Sequence, residues 1–253
     1  MTDGRPPLPT DPRPPVVLVH GAANSARVWT FWRRELEGRG WAVHTPDLRG
    51  HGEHAGIDLS TTGMADYAAD VGAVARSLPR PPVLVGWSMG GLVAMMAAAA
   101  TRAVACVGLA PSTPRAVRDP AVPLRVGTFG AETYGITSDD PAHQPAMPDL
   151  DLEERRIALA SLSRESLLAR DERQAGIAID RLPCPLLIVT GTGDTSWPRE
   201  RYADLTLPAQ HLSVDGASHW GLVLSRRALR TLVPDVVRWL GGITTGRIGA
   251  ALT

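Results

Sequence analysis

Ser88 lies in the segment Gly86-Trp87-Ser88-Met89-Gly90-Gly91, a G-x-S-x-G pattern set between the apolar run PPVLVGWS and the equally apolar MGGLVAMMAAAA. A serine hydroxyl carried between a buried strand and a buried helix suits nucleophilic attack on a carbonyl. So sharp a turn from strand to helix forces the serine into a strained backbone conformation, and Gly86 and Gly90 remove the side chains that would collide there. The helix that follows aims its free N–H groups and positive dipole end at the oxyanion formed in acyl transfer. A hydroxyl nucleophile needs a base, and His219 in GASHWG, just after the last strand-like run, is the leading candidate. The acid that orients such a base is expected at the carboxyl end of an intervening strand, as Asp194 is in VTGTGDTSWP. Asp215 is the rival, but its place within or just past a strand suits a turn or cap hydrogen bond better.

The elements that must position these side chains are legible from period and punctuation. Short β-branched runs alternate with helical patterns, beginning with PVVLVH at 15–20 and the helix-like SARVWTFWRRELEGRG, in which Val28, Trp29, Trp32 and Leu36 share one face. WAVHTPD at 41–47 reads as the next strand. Met64, Tyr67, Val71, Val74 and Leu78 mark an amphipathic helix that stops before Pro79. PPVLVGWS and VACVGLAP then flank the alanine-rich helix, and continuous apolar strands of this kind imply a parallel sheet covered on both faces. CPLLIVTGTGD, a helix around 197–206, the strand-like QHLSVDG and a helical region to Leu240 complete the alternation, with Pro234 expected to kink or divide the last helix.

Between about Ser112 and Leu182 the alternation lapses. Prolines crowd its first part, and a charged helical stretch follows from Asp151, where Asp151 and Glu154 resemble an N-terminal capping pair and Leu152, Leu159 and Leu162 form an apolar stripe. The expected organisation is a proline-rich tail at 1–14, a core of 15–111 and 183–253, and a cap or lid inserted at 112–182.

Composition narrows the chemistry. The 253 residues are 44% hydrophobic, enough for a substantial core, and 26 basic residues balance 26 acidic ones, so nothing marks a nucleic-acid or anionic-membrane partner. Every basic residue is arginine, which removes Schiff-base chemistry and any pyridoxal anchor. Cys106 and Cys184 fall in apolar runs and read as small buried hydrophobes. No signal-like or membrane-spanning apolar run appears, so the expected location is cytoplasmic. Neither metal-ligand spacing nor a dinucleotide fingerprint occurs, and no cofactor is expected. His20, His44, His51, His54, His143 and His211 read as structural.

Taken together, GWSMGG, His20-Gly21-Ala22, Pro46-Asp47-Leu48-Arg49-Gly50-His51-Gly52 (similar to a D-x-R-G-x-G turn), Asp194 and His219 resemble the α/β-hydrolase superfamily over almost the whole chain outside the tail and cap. The resemblance implies an α/β-hydrolase fold, a mostly parallel doubly wound sheet with an inserted helical cap. It implies catalysis by Ser88, Asp194 and His219, in the order the fold uses, and an oxyanion hole built from the backbone N–H groups of Ala22 and Met89. Two features depart from the common pattern: Trp87 stands where many members have histidine, and little chain precedes the first strand, so the usual opening hairpin is expected to be short or missing. Trp87, Trp197 and Trp220 flank the three site residues and either line an aromatic pocket or simply pack around it. A small-molecule acyl substrate is expected, a carboxylic ester by default with lactone or thioester close behind. C–C bond hydrolysis, perhydrolysis, acyl transfer and small-molecule binding with little turnover stay open on the same residues. Oligomeric state leaves no mark in the sequence.

Overall fold

The computed structural model describes residues 13–244, so the proline-rich tail lies almost wholly outside the described residues. Strands β1 (Val16–Val19), β2 (Val43–His44), β3 (Val83–Trp87), β4 (Ala105–Leu109), β7 (Leu186–Gly191) and β8 (Gln210–Val214) form one sheet in the order β2-β1-β3-β4-β7-β8. Every pairing in it is parallel, and no antiparallel hairpin opens the sheet among the described residues. The strand at 41–47 shrinks to the two residues of β2, because Pro46 and the turn after it leave the edge without further ladder partners.

Parallel strands covered on both faces must be apolar at every position, and β1, β3, β4 and β7 are buried throughout. Alternate residues feed two cores. Val16, Leu18, Val83, Val85, Val107 and Leu187 pack with Trp29, Trp32, Leu222 and Leu232 on one face. Val17, Val19, Leu84, Cys106, Leu186 and Ile188 pack with Tyr67, Val71, Leu92 and Met95 on the other. Helices α1 (Thr30–Glu37), α6 (Gly221–Leu224) and α7 (Arg226–Thr244) cover the first face; α2 (Met64–Ser77) and α3 (Met89–Ala100) cover the second.

Several boundaries differ from the sequence pattern. The first helix opens as a 3₁₀ turn, Ala26–Trp29, before α1, and the expected helix at 197–206 is a single 3₁₀ turn, Arg199–Tyr202. Pro234 lies inside α7 without dividing it, and the helix runs past Leu240. Cys106 is buried in β4, whereas Cys184 precedes β7 and is half-buried; both are free thiols.

Residues 112–182 leave the sheet after β4 and return to it at β7. They hold a two-stranded antiparallel pair, β5 (Thr128–Phe129) with β6 (Glu165–Ser166), and the helices α4 (Leu152–Ala160) and α5 (Leu167–Ala175). Asp151 and Glu154 cap α4 reciprocally, each side chain accepting the other's backbone N–H at 2.9 and 2.8 Å. Of the expected apolar stripe, Leu159 and Leu162 pack against the core but Leu152 is 48% exposed, and the buried residues of α4 are Glu154 and Ala158. Arg226 at the start of α7 explains the inward glutamate, since its backbone N–H and guanidinium both donate to Glu154 and make burial of that carboxylate tolerable.

Candidate active site

β1 leads outward to β2 on one side while β3 continues the sheet on the other, so the strand order reverses between β1 and β3. The carboxyl ends of strands flanking such a reversal form a crevice. Ser88 follows β3 directly and His20-Gly21-Ala22 follows β1. Ser88 has φ 56° and ψ −121°, a left-handed-side conformation that costs a non-glycine residue about 1–3 kcal/mol and persists only where its surroundings enforce it. Here they do: the Ser88 N–H donates to the Leu109 carbonyl at 2.9 Å, and its own carbonyl accepts from Gly91 and Ser112 at 3.1 and 2.9 Å. A β-carbon on Gly86 would lie 2.0 Å from the Gly90 carbonyl oxygen, and one on Gly90 would lie 2.2 Å from that of His20. Both glycines are therefore demanded by backbone packing against backbone.

As the first residue of α3, Met89 has an N–H with no carbonyl one turn back to accept it. The Ala22 N–H likewise donates to no other backbone group among the described residues. Ala22 lines the cavity above Ser88. Behind it the turn is strapped to residues 161–165: Ser163 N–H donates to the Ala23 carbonyl at 2.9 Å, Ser161 Oγ to Asn24 Oδ1 at 2.7 Å, and Ala23 N–H to Glu165 Oε2 at 3.0 Å.

Asp194 and His219 meet at the other end of the cavity. His219 Nδ1 lies 2.7 Å from Asp194 Oδ2, while Asp194 Oδ1 accepts the backbone N–H groups of Trp197 and Ser196 at 2.9 and 3.0 Å. Burial alone would raise the Asp194 carboxyl, but the His219 hydrogen bond and charge, with the two backbone donors, outweigh it and hold the group below the usual carboxylate range. Asp215 sits just past β8, exposed, and accepts from Thr192 Oγ1 at 3.2 Å, a turn contact away from the imidazole. Ser88 Oγ makes no hydrogen bond with His219 Nε2 among the described residues, although both line the same cavity of about 630 Å³. Contacts of this kind tighten when substrate binds. A larger groove, about 1160 Å³, runs between Arg27, Glu53 and Arg164 and contains neither Ser88 nor His219.

Side chains beyond the three candidate residues shape this cavity, and of them Asp149 bears no local mark in the sequence. Trp87 Nε1 donates to the His219 carbonyl at 3.0 Å, and its ring lies 5.1 Å from the imidazole and 4.9 Å from Trp220. Trp87, Trp197 and Trp220 all line the cavity, and the first and last are also buried in the core. Asp149 accepts the Ser218 N–H at 3.0 Å, next to His219. His20, in the turn after β1, is buried with Nδ1 2.9 Å from the Gly21 carbonyl and Nε2 accepting the Leu48 N–H at 3.1 Å. Burial first, then the neighbouring charge of His51, pushes it down to about 4, so it stays neutral. The D-x-R-G-x-G turn is built by Asp47, which accepts from Ala26 and Glu53 N–H groups at 2.6 and 2.9 Å, and by Arg49, which forks onto Asp70.

A serine held at positive φ where the strand order of a parallel sheet reverses is the architecture of an α/β hydrolase. The chain belongs to the alpha/beta hydrolase family, whose model matches residues 16–231. It is similar to a pimeloyl-[acyl-carrier protein] methyl ester esterase of Methylococcus capsulatus, 39% identical over 130 residues that span 50% of this chain and 48% of that protein. Its likeness to the protein of the same name from Neisseria meningitidis is longer, 27% over 262 residues, covering 94% of this chain and 81% of the relative. Tomato methylketone synthase I, solved with 2-tridecanone, shares the fold at a TM-score of 0.68 with 19% identity, over 90% of this chain and 99% of that one. No helix among the described residues is long and apolar enough to cross a membrane, and no cluster of histidine, cysteine and acidic side chains is placed to hold a metal ion.

Proposed function

We propose that the protein is a serine esterase that cleaves a carboxylic ester of a small molecule through an acyl-enzyme at Ser88. The observation that carries this reading is the Asp194–His219 pair at 2.7 Å, facing the same cavity as a serine held at φ 56°. The names of the curated relatives, esterases acting on a methyl ester, support the bond type.

In this mechanism His219 takes the Ser88 proton as Oγ attacks the ester carbonyl carbon. Asp194 stabilises the imidazolium and keeps the ring's Nε2 turned toward the serine. The N–H groups of Ala22 and Met89 receive the tetrahedral oxyanion. His219 then returns its proton to the departing alcohol. Water, deprotonated by His219, attacks the acyl-enzyme, the carboxylic acid leaves, and Ser88 recovers its proton. Residues 112–182 act as the lid: Thr133, Tyr134, Ala146 and Pro148 close one side of the cavity, and Trp87, Trp197 and Trp220 give it an aromatic floor.

Labelling with a fluorophosphonate probe tests the assignment. Wild type is expected to label covalently at Ser88, and Ser88→Ala to neither label nor turn over nitrophenyl esters, a loss on the order of 10⁶-fold in kcat. Equal labelling of both proteins would remove Ser88 from the mechanism.

A further inference from the structure

The cavity wall carries a charged side chain with no ion-pair partner among the described residues. Apart from the His219–Asp194 pair, the only ionic side chain lining it among the described residues is Arg173, reaching in from α5. Both oxygens of Asp194 are already engaged by His219, Ser196 and Trp197. The carboxylates beside Arg173 on its own helix are also committed: Asp171 takes a fork from Arg125, and Glu172 accepts the Met64 N–H at 2.6 Å. Glu165, beneath them, accepts from Tyr67, Ser166 and Ala23. The field of Arg173 reaches the Tyr67 hydroxyl, but no hydrogen bond or ion pair joins Arg173 to any carboxylate among the described residues.

What Arg173 does touch is neutral. Nη1 donates to Ser112 Oγ at 3.3 Å, Nη2 to the Tyr134 hydroxyl at 3.0 Å, and Nε is buried with no acceptor at all. Two other arginines show what the Nε–Nη2 edge does elsewhere in this molecule. Arg49 uses it on Asp70 at 2.9 and 2.6 Å, and Arg125 uses it on Asp171 at 2.9 and 2.6 Å. In Arg173 that same edge is left with one phenol and one empty donor. Ser112, its Nη1 partner, donates its own N–H to the Ser88 carbonyl, so the guanidinium stands on the wall beside the nucleophile.

We infer that Arg173 is the anchor for a carboxylate carried by the substrate, received on its Nε–Nη2 edge as the Tyr134 phenol yields. The inference rests on the serine-esterase reading and narrows its substrate class to half-esters, with one carboxylate for Arg173 and one ester carbonyl for Ser88. A planar, singly charged carboxylate matches one guanidinium edge, whereas a phosphate dianion calls for further cations that the lining lacks. Tyr134 is 41% exposed at the end of the 3₁₀ turn Ala131–Tyr134, and its displacement gives up an edge-on ring contact with Phe129 at 5.6 Å.

Two measurements test this. The first compares kcat/KM on monomethyl and dimethyl esters of short dicarboxylic acids. Wild type is expected to favour the monomethyl ester, and Arg173→Gln to lower the ratio of the two by about tenfold or more, the loss typical of a charged hydrogen bond. The second, calorimetric titration with the free dicarboxylate, needs no turnover; Arg173→Gln is expected to bind at least about tenfold more weakly than wild type. Hydrolysis of both esters with a ratio that Arg173→Gln leaves unmoved overturns the anchor and spares the esterase. Carboxylate binding that depends on Arg173 without hydrolysis of either ester does the reverse. Inorganic phosphate binding as tightly as the dicarboxylate overturns the carboxylate class. If Arg173→Gln does not fold, Arg173→Lys keeps the charge and loses the fork, and an unchanged ratio in that variant overturns the anchor as well.

Discussion

Two histidine–carboxylate pairs lie on either side of the elbow serine's strand, and they are built to opposite ends. In the cavity, His219 and Asp194 meet at 2.7 Å; the imidazole side chain is 21% exposed, and its Nε2 has no partner among the described residues. Beneath the 22–25 turn, His51 and Glu165 are fully buried at 3.4 Å, an ion pair too long for a well-formed hydrogen bond. Tyr67 and the N–H groups of Ser166 and Ala23 complete the Glu165 shell at 2.6, 2.7 and 3.0 Å. The same two side-chain types thus meet once at an open cavity, where the imidazole is partly exposed, and once in a sealed joint between the 112–182 segment and the 22–25 turn, where His51 Nε2 is buried without a hydrogen-bond acceptor. Residue type alone does not distinguish them; access does.

Asp194→Asn separates the two pairs most sharply. It keeps the shape of the acid but reverses the hydrogen bond to His219, and kcat on a nitrophenyl ester is expected to fall by about 10⁴-fold with the unfolding midpoint little changed. A variant that unfolds without this kinetic loss would show Asp194 to be a joint after all.

Glu165→Gln should do the opposite. It leaves the His51 imidazole without a counter-charge in a buried site, and urea denaturation is expected to show a loss on the order of 3 kcal/mol, with kcat of the folded fraction lowered far less than in Asp194→Asn. Loss of activity at unchanged stability would make Glu165 part of the reaction.

The smallest expected effect is a pH dependence of stability. Burial alone would raise Glu165, but the His51 charge and the Tyr67 and Ser166 donors hold it at about 2, below its ordinary 4.5. Its stabilisation is therefore present above pH 4.5 and lost as pH falls toward 2. His20, held down at about 4 from 6.5, adds acid loss between those values because the unfolded chain takes the proton first. His51 runs the other way: burial alone would lower it, the Glu165 carboxylate more than offsets this, and its stabilisation is lost as pH rises above its raised value. The urea midpoint should peak near neutrality and fall toward acid, and Glu165→Gln should flatten the limb below pH 4.5. An acid limb identical in both proteins would place its origin elsewhere.

Much of the scaffold was written in local pattern. Continuous apolar runs marked the parallel strands, helical spacing from Met64 marked α2, and Asp151 with Glu154 marked the start of α4, because strand period, helix period and end caps are satisfied within a few residues. Ser88 was equally legible, since Gly86 and Gly90 must flank it wherever a strand turns so abruptly into a helix. The weak edges were misjudged for the same reason: the stripe on α4 pointed to Leu152, but the partner that buries Glu154 is Arg226, 72 residues away.

The amino-acid sequence by itself determined the alternating α/β layout, the serine elbow, and which histidine and aspartates were in contention. Only the tertiary structure decided that Asp194 and not Asp215 reaches His219, that Trp87 holds the His219 carbonyl, that Glu165 braces the 22–25 turn, and that Arg173 enters the cavity with no carboxylate partner among the described residues. Each of these depends on which distant segments come to lie side by side, and hydrogen-bond partners brought together across the sheet leave no periodicity for the sequence to display.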